Sequence, residues 1–129
     1  MASGPSPQAA MDALDMWLSG GATIRLWTVA PAFDGTGGTE AVPAGGAPTA
    51  SFQPAVEGTG GQIAKATTAV PPVFPGVPVA SSAVEAISFH DPSDDHLIVL
   101  DAAFTAPGAG WSAGDSPTFP VSVPFVPVS

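Results

Sequence analysis

Prolines and glycines interrupt this chain so often that they decide what it can fold into. Its 129 residues include 16 prolines and 15 glycines, and these leave only short apolar stretches beyond the N-terminal region. A disordered chain combines low hydrophobicity with high charge density, whereas 45% of these residues are hydrophobic and only 10% are charged. We therefore expect one folded domain of short strands joined by proline- and glycine-rich turns.

The N-terminal twenty residues contain the one segment with a helical pattern. Residues 1–7 are expected to form an extended arm, and residues 8–18 to form a short helix that ends at Ser19-Gly20-Gly21. The apolar stripe of this helix must pack on the chain's own sheet or on a neighbouring subunit. We predict an assembly contact through its large apolar residues, which are Met11, Leu14, Trp17 and Leu18.

The remainder, residues 21–129, has the pattern of β-structure. Strands are expected at residues 23–29, around 50–53 and at 62–70, and the clearest hairpin joins 83–91 to 96–104 through a turn at 92–95. The second hairpin arm is apolar on both faces, which predicts a central strand. Prolines confine the C-terminal strand to a sheet edge, namely Pro120, Pro124 and Pro127. The predicted fold is all-β: a single antiparallel β-sandwich, Ig-like or jelly-roll-like, with a short N-terminal helix and arm.

Charge and composition exclude several classes of partner. The net charge is −9, and Arg25 and Lys65 are the only formal cations. Nucleic-acid binding needs many such cations, and anionic lipid surfaces repel an acidic chain, so we predict neither partner. There is no cysteine, and the N-terminus lacks the basic and apolar regions of a secretory signal.

Candidate chemistry is sparse. His90 and His96 flank an aspartate-rich turn that could ligate a divalent metal, but local turn hydrogen bonds explain the same pattern. Ser116 lacks a visible general base and a nucleophile elbow, and Glu85 with Asp101 lacks a sugar cleft. The glycine-rich loop at 34–39 is not followed by a helix that could hold phosphate. We predict no enzyme, no metal and no cofactor.

The three tryptophans, Trp17, Trp27 and Trp111, could form a sugar-binding platform. Tryptophans are more often core or interface anchors, and we predict that role, with Trp111 as a surface contact. The cations Arg25 and Lys65 are expected to have specific partners, either carboxylates of this chain or an acidic patch on a neighbour.

Four stretches occur in a suggestive order: IRLWTVAP, then the loop DGTGGTEAVPAGGAP, then VEAISFHDPSDDHLIVLDAAFTAP, then WSAGDSPTFPVSVPFVPVS. This order over residues 23–129 resembles a group of small phage virion proteins described as head decoration, head fibre or minor tail proteins. Their pattern has a strand ending in Phe-Asp-Ala and an Ala-Gly-Asp-Thr turn, where this chain has His90-Asp91 and residues 113–116. The additional prolines and the PSDDH hairpin tip depart from the group.

The resemblance implies a compact β-sandwich without catalytic residues. It also implies a structural virion protein, made in the host cytoplasm and bound to the capsid surface as a decoration protein. Partners would be the major capsid protein or other virion proteins, and symmetric closure favours a homo-oligomer, with a trimer preferred. The alternative is a minor tail or fibre-base protein, or a receptor- or glycan-binding module.

Overall fold

The structure, a computed structural model, describes residues 4–126. It contains one α-helix, one 3₁₀ turn at Ser81–Ala83, and short strands that are all paired antiparallel. The elements are α1 (Pro7–Trp17), β1 (Ala22–Val29), β2 (Thr39–Glu40), β3 (Thr49–Ala50), β4 (Val56–Glu57), β5 (Ala64–Thr67), β6 (Ala86–His90), β7 (Leu97–Asp101) and β8 (Ser122–Phe125). The predicted all-β, sandwich-like fold with a short N-terminal helix is confirmed.

The strands form two sheets. The larger has the order β2-β1-β6-β7, with β3 also pairing with β1, and the smaller has the order β4-β5-β8. Alternate residues of β1 and β6 lie opposite each other and point into the core, as in the pairs Ile24–Phe89 and Leu26–Ile87. One hydrophobic cluster joins these residues to buried residues of the smaller sheet. The two sheets therefore share one core.

The helix α1 is part of that core. Ser6 caps it by accepting a hydrogen bond from the Ala9 backbone N–H at 3.3 Å, with Pro7 in the first turn. Proline suits this position because its missing N–H would have no partner in the helix. Leu14 is 0% exposed, and α1 packs against β4 and β5, where small residues allow close approach. The helix thus fills the space beside the smaller sheet.

This packing corrects the predicted assembly contact. Leu14 and Leu18 are buried in the chain's own core, and Met11 packs against it, so the stripe has its own sheet as its partner. Among the predicted contact residues, only Trp17 is more than one-third exposed. The helix of the N-terminal segment, residues 1–20, and the strands that follow it contribute to one hydrophobic cluster.

Gly21 makes the connection from α1 to β1 possible. Its φ angle is +79°, and a Cβ atom at this position would lie 2.7 Å from the carbonyl oxygen of Ala50. Both the backbone conformation and the close approach of β3 require glycine here. The predicted helix end at Ser19-Gly20-Gly21 therefore marks the place where the chain turns into the larger sheet.

Most strand predictions are confirmed, with one exception in the hairpin. The hairpin itself forms as β6 and β7, and β8 is an edge strand with Pro124 opposite Lys65. Pro120 precedes β8, and Pro127 lies outside the described residues. The prediction that the second hairpin arm is central was wrong: β6 is central and buried at every position, whereas β7 lies at the edge and is half-buried.

The buried helix stripe predicts unequal effects of two neighbouring substitutions. Leu14→Ala should lower the free energy of unfolding by about 2–5 kcal/mol, because it removes a fully buried side chain and leaves a cavity. Met16→Ala should change it by less than about 0.5 kcal/mol, because Met16 is 69% exposed. Urea denaturation of both variants measures this. Equal, small effects would contradict the core role of α1.

Candidate functional site

A chain of polar side chains is buried beneath the outer surface of the larger sheet. The Trp27 Nε1–H donates to Ser88 Oγ at 2.7 Å, and Ser88 Oγ lies 2.7 Å from His90 Nε2. His90 Nδ1 lies 3.0 Å from the carbonyl oxygen of Asp95 in the hairpin tip. Ser88 and His90 alternate with the apolar core residues of β6, which places both on the face opposite the core.

Donor and acceptor roles in this chain follow from chemistry. Indole N–H can only donate and a carbonyl can only accept. Ser88 Oγ therefore accepts from Trp27, and His90 Nδ1 carries the hydrogen that the Asp95 carbonyl accepts. In a neutral His90, Nε2 then carries no hydrogen and accepts from the Ser88 hydroxyl. Every polar atom in this buried series of side chains then has a hydrogen-bond partner, as burial requires.

The Ser88–His90 pair has the separation of a nucleophile and its general base, but not the access. Ser88 is 0% exposed, and its oxygen already accepts the indole hydrogen bond. A substrate carbonyl has no route to this oxygen in the folded chain. The pair acts as a structural connection between β1, β6 and the hairpin tip.

Arg25 ties the same hairpin tip to the sheet. Its guanidinium donates to Glu40 Oε2 on β2 and to Asp95 Oδ1, each at 3.0 Å. Burial by itself lowers the pKa of Arg25, but the hydrogen bonds to Asp95 and Glu40 outweigh it and raise the pKa above its ordinary value. The expectation that Arg25 has a specific partner is met by two carboxylates of its own chain.

The hairpin tip itself consists of two side-chain-capped turns. Asp91 Oδ1 accepts from the Ser93 backbone N–H at 2.8 Å and from the Ser93 hydroxyl. Asp94 Oδ1 accepts from the His96 backbone N–H at 3.1 Å and contacts His96 Nδ1. These are the local bonds that aspartate forms in turns.

The metal alternative can be judged from the same geometry. Ligand atoms of Asp91, Asp94 and His96 lie within 4.8 Å of one another, and Oδ1 of each aspartate accepts hydrogen bonds of the turn. His90 does not join them, because both of its ring nitrogens are bonded in the buried chain. The turn hydrogen bonds by themselves explain why Asp91, Asp94 and His96 lie close together.

Exposed apolar side chains meet along the open edge of β7. Trp17 stacks on Phe125 with ring centroids 5.5 Å apart, and Phe33, which is 81% exposed, approaches from the loop before β2. Together with β7 they line a hollow of about 250 Å³. We call the following residues the β7 edge surface: Met16, Trp17, Phe33, Ile98, Phe125 and Val126.

The acidic hairpin tip lies at one end of this surface. A second hollow of about 360 Å³ is lined by Met16, Trp17 and the start of β7, together with Asp91 and His96. Contiguous exposed apolar surface with a polar rim is typical of interaction sites. The β7 edge surface is therefore the candidate functional site.

The three tryptophans have separate partners and form no common platform. Trp27 belongs to the buried polar chain, and Trp17 to the β7 edge surface. Trp111, predicted as a surface contact, is half-buried: it stacks on Phe119 at 5.6 Å and donates from Nε1 to the Val79 carbonyl at 3.0 Å. Packing explains Trp111 without any partner.

The remaining candidate groups make structural hydrogen bonds. Ser116 Oγ accepts from the Gly76 N–H at 2.9 Å, and Asp101 Oδ1 accepts from the Ala103 N–H at 3.1 Å. The loop at 34–39 is held by an Asp34–Thr36 turn, and the next element is a strand, so no helix end is present there to hold phosphate.

The β7 edge surface was missed by sequence reasoning, because its members come from four separate segments. One signal was available: Phe33 is a lone aromatic residue in a loop rich in proline and glycine. The buried polar side chains could also have been predicted from the sequence, since Ser88 and His90 share the face of β6 that Ile87 and Phe89 do not occupy.

A scan against protein-family models, a search of curated proteins and a search of solved structures each found no match to this chain. No helix within residues 4–126 has the length and apolar character needed to cross a lipid bilayer.

The buried hydrogen bonds that link Trp27, Ser88 and His90 predict a loss of stability when the Ser88 hydroxyl is removed. Ser88→Ala should lower the free energy of unfolding by about 1–3 kcal/mol, because it leaves Trp27 Nε1 and His90 Nε2 buried without a partner. Ser122→Ala is the matched control: it breaks an exposed hydroxyl pair with Thr67 and should cost less than about 0.5 kcal/mol. Thermal denaturation compares them. If Ser88→Ala lowers the stability no more than Ser122→Ala does, the structural role of the buried hydrogen bonds is contradicted.

The hairpin tip predicts a specific acid titration. Hydrogen bonds from the Ser93 hydroxyl and backbone lower the pKa of Asp91, and those from the His96 backbone and ring lower the pKa of Asp94, both below the ordinary 3.8. The stability that they contribute is complete above that value and is lost as the pH falls through the lowered pKa. Carbon-13 NMR titration of the carboxyl groups measures both.

Ser93→Ala supplies the control for this titration. It should raise the pKa of Asp91 towards its ordinary value while that of Asp94 stays low. An Asp91 pKa that does not respond to Ser93→Ala would show that the hydroxyl bond is not the cause.

Proposed function

We propose that this chain is a non-enzymatic structural protein of a phage particle, bound to the outer surface of the head as a decoration protein. The observation that carries the proposal is the β7 edge surface. It presents large apolar side chains on an acidic domain, and within residues 4–126 no other element covers them. Such a surface suits a permanent contact in an assembly.

Two further observations support this function. The order of motifs over residues 23–129 resembles small virion proteins, and the hairpin and final strand of that order form here as β6, β7 and β8. The groups that could have supplied hydrolytic chemistry have structural partners instead, with Ser88 and His90 buried and Ser116 bonded to a backbone N–H.

The acidic charge also fits a particle surface. Because Arg25 is engaged by two carboxylates, little positive charge remains to attract nucleic acid. Many copies bound to one lattice gain avidity, so each contact can be modest. We expect a closed homo-oligomer, with a trimer preferred, because most oligomers are cyclic.

A second candidate is a tail or fibre module that binds host glycans. The observation in its favour is the hollow in which Trp17 lies beside Asp91 and His96, since aromatic rings next to polar groups suit sugars.

The copy number per particle separates the two candidates. Quantitative gel densitometry of purified particles should give an amount comparable to that of the major capsid protein, and electron cryo-microscopy should place the chain on the head. A handful of copies at the tail would overturn decoration and favour the glycan module. Absence from purified particles would overturn both.

A further inference from the structure

The sheet edges of this chain are protected unequally. An edge strand exposes unpaired backbone N–H and C=O groups, and proteins protect such edges with short strands, prolines or lysines. In the smaller sheet, β4 has two residues and β8 contains Pro124. One edge of the larger sheet is made by β2 and β3, which have two residues each.

The other edge of the larger sheet, β7, has none of these protections. It is five residues long, reads LIVLD, and within residues 4–126 pairs only with β6. A register irregularity affects only its beginning, and Val99 to Asp101 pair regularly with β6. On the side of β7 away from β6, the backbone groups have no strand partner within residues 4–126, although β8 of the smaller sheet lies close to β7.

The surroundings of β7 can also receive the side chains of a further strand. Successive side chains of a strand point to opposite sides. Phe33 and the stacked Trp17–Phe125 pair line one hollow together with β7. An added strand would place apolar side chains in this hollow and cover exposed apolar surface.

Charge distinguishes between two possible occupants of this edge, a second copy of the chain and a cationic segment of a different protein. In a two-fold pairing of two copies centred on Val99, Asp101 of one copy would lie beside Leu97 of the other, next to its acidic tip with Asp94 and Asp95. Each copy also carries a net charge of −9. Like charges in close apposition oppose this pairing, whereas a cationic partner gains at the same position.

We propose that the β7 edge binds an extended segment of a different protein, which adds a strand to the larger sheet. The segment alternates apolar residues and carries lysine or arginine at the end that lies beside Asp91 and Asp94. Backbone hydrogen bonds supply affinity, and the apolar surface and acidic tip supply specificity. The identification of the partner as another virion protein rests on the proposed function. The docking geometry is independent of the proposed function.

The test uses the full chain and two synthetic fluorescent peptides. Both alternate valine and threonine; one ends in two lysines, the other in two glutamates. We expect the lysine peptide to bind, the glutamate peptide to bind at least about ten-fold more weakly, and β7 amides to become protected from hydrogen exchange. Absence of lysine-peptide binding at millimolar concentration, or equal binding of the two peptides, would overturn the proposal.

Two surface variants locate the binding. Phe33→Ser should weaken lysine-peptide binding by about ten-fold, whereas Val70→Ser should leave it unchanged, because Val70 is similarly exposed at 74% but does not line the hollow. Asp91→Asn with Asp94→Asn should remove the preference for lysine, since asparagine can still make the turn bonds. Equal effects of Phe33→Ser and Val70→Ser would move the binding elsewhere.

Two outcomes separate this proposal from its alternatives. If the isolated chain dimerises and β7 amides are protected without peptide, a second copy occupies the edge and the proposal fails. If the lysine peptide binds as expected but the chain is absent from particles, the proposed function fails while the docking edge stands.

Discussion

The strand β6 is buried on both of its faces, and the rest of the larger sheet is organised by that constraint. One face presents Ile87 and Phe89 to the core, which needs no further partner. The other presents Ser88 and His90, whose polar atoms must be bonded inside the protein. Trp27 on β1 and the Asp95 carbonyl meet that need, and Arg25 holds Asp95 in place. The hairpin tip is thus fixed from beneath, and with it the position of β7.

How far the sequence predicts this fold depends on the range of the interactions involved. Local signals predict the helix ending near Ser19-Gly20-Gly21, the turn at 92–95 and the edge position of β8, because proline, glycine and aspartate act through their own backbone. The position of β7 was not predictable in this way. Its two apolar faces suggested a central strand, and only the full strand order shows that its outer side is open.

The same limit applies to the candidate site. The apolar stripe of α1 was correctly identified, but periodicity alone could not decide whether Leu14 faces this chain's sheet or another subunit. The structure assigns Leu14 to the core and leaves Met16 and part of Trp17 outside. The β7 edge surface needs Trp17, Phe33 and Phe125 together, and no spacing in the sequence connects these three positions. Such a surface becomes visible only when tertiary contacts are known.

The unequal protection of the sheet edges limits how these chains can join. A subunit with two open edges can pair at both, and successive subunits then grow into a filament without end. Here Pro124 and the two-residue strands close the other edges of residues 4–126. Strand pairing at the proposed β7 site would therefore occur once per chain and then stop, which would fix the stoichiometry and oppose growth into fibres.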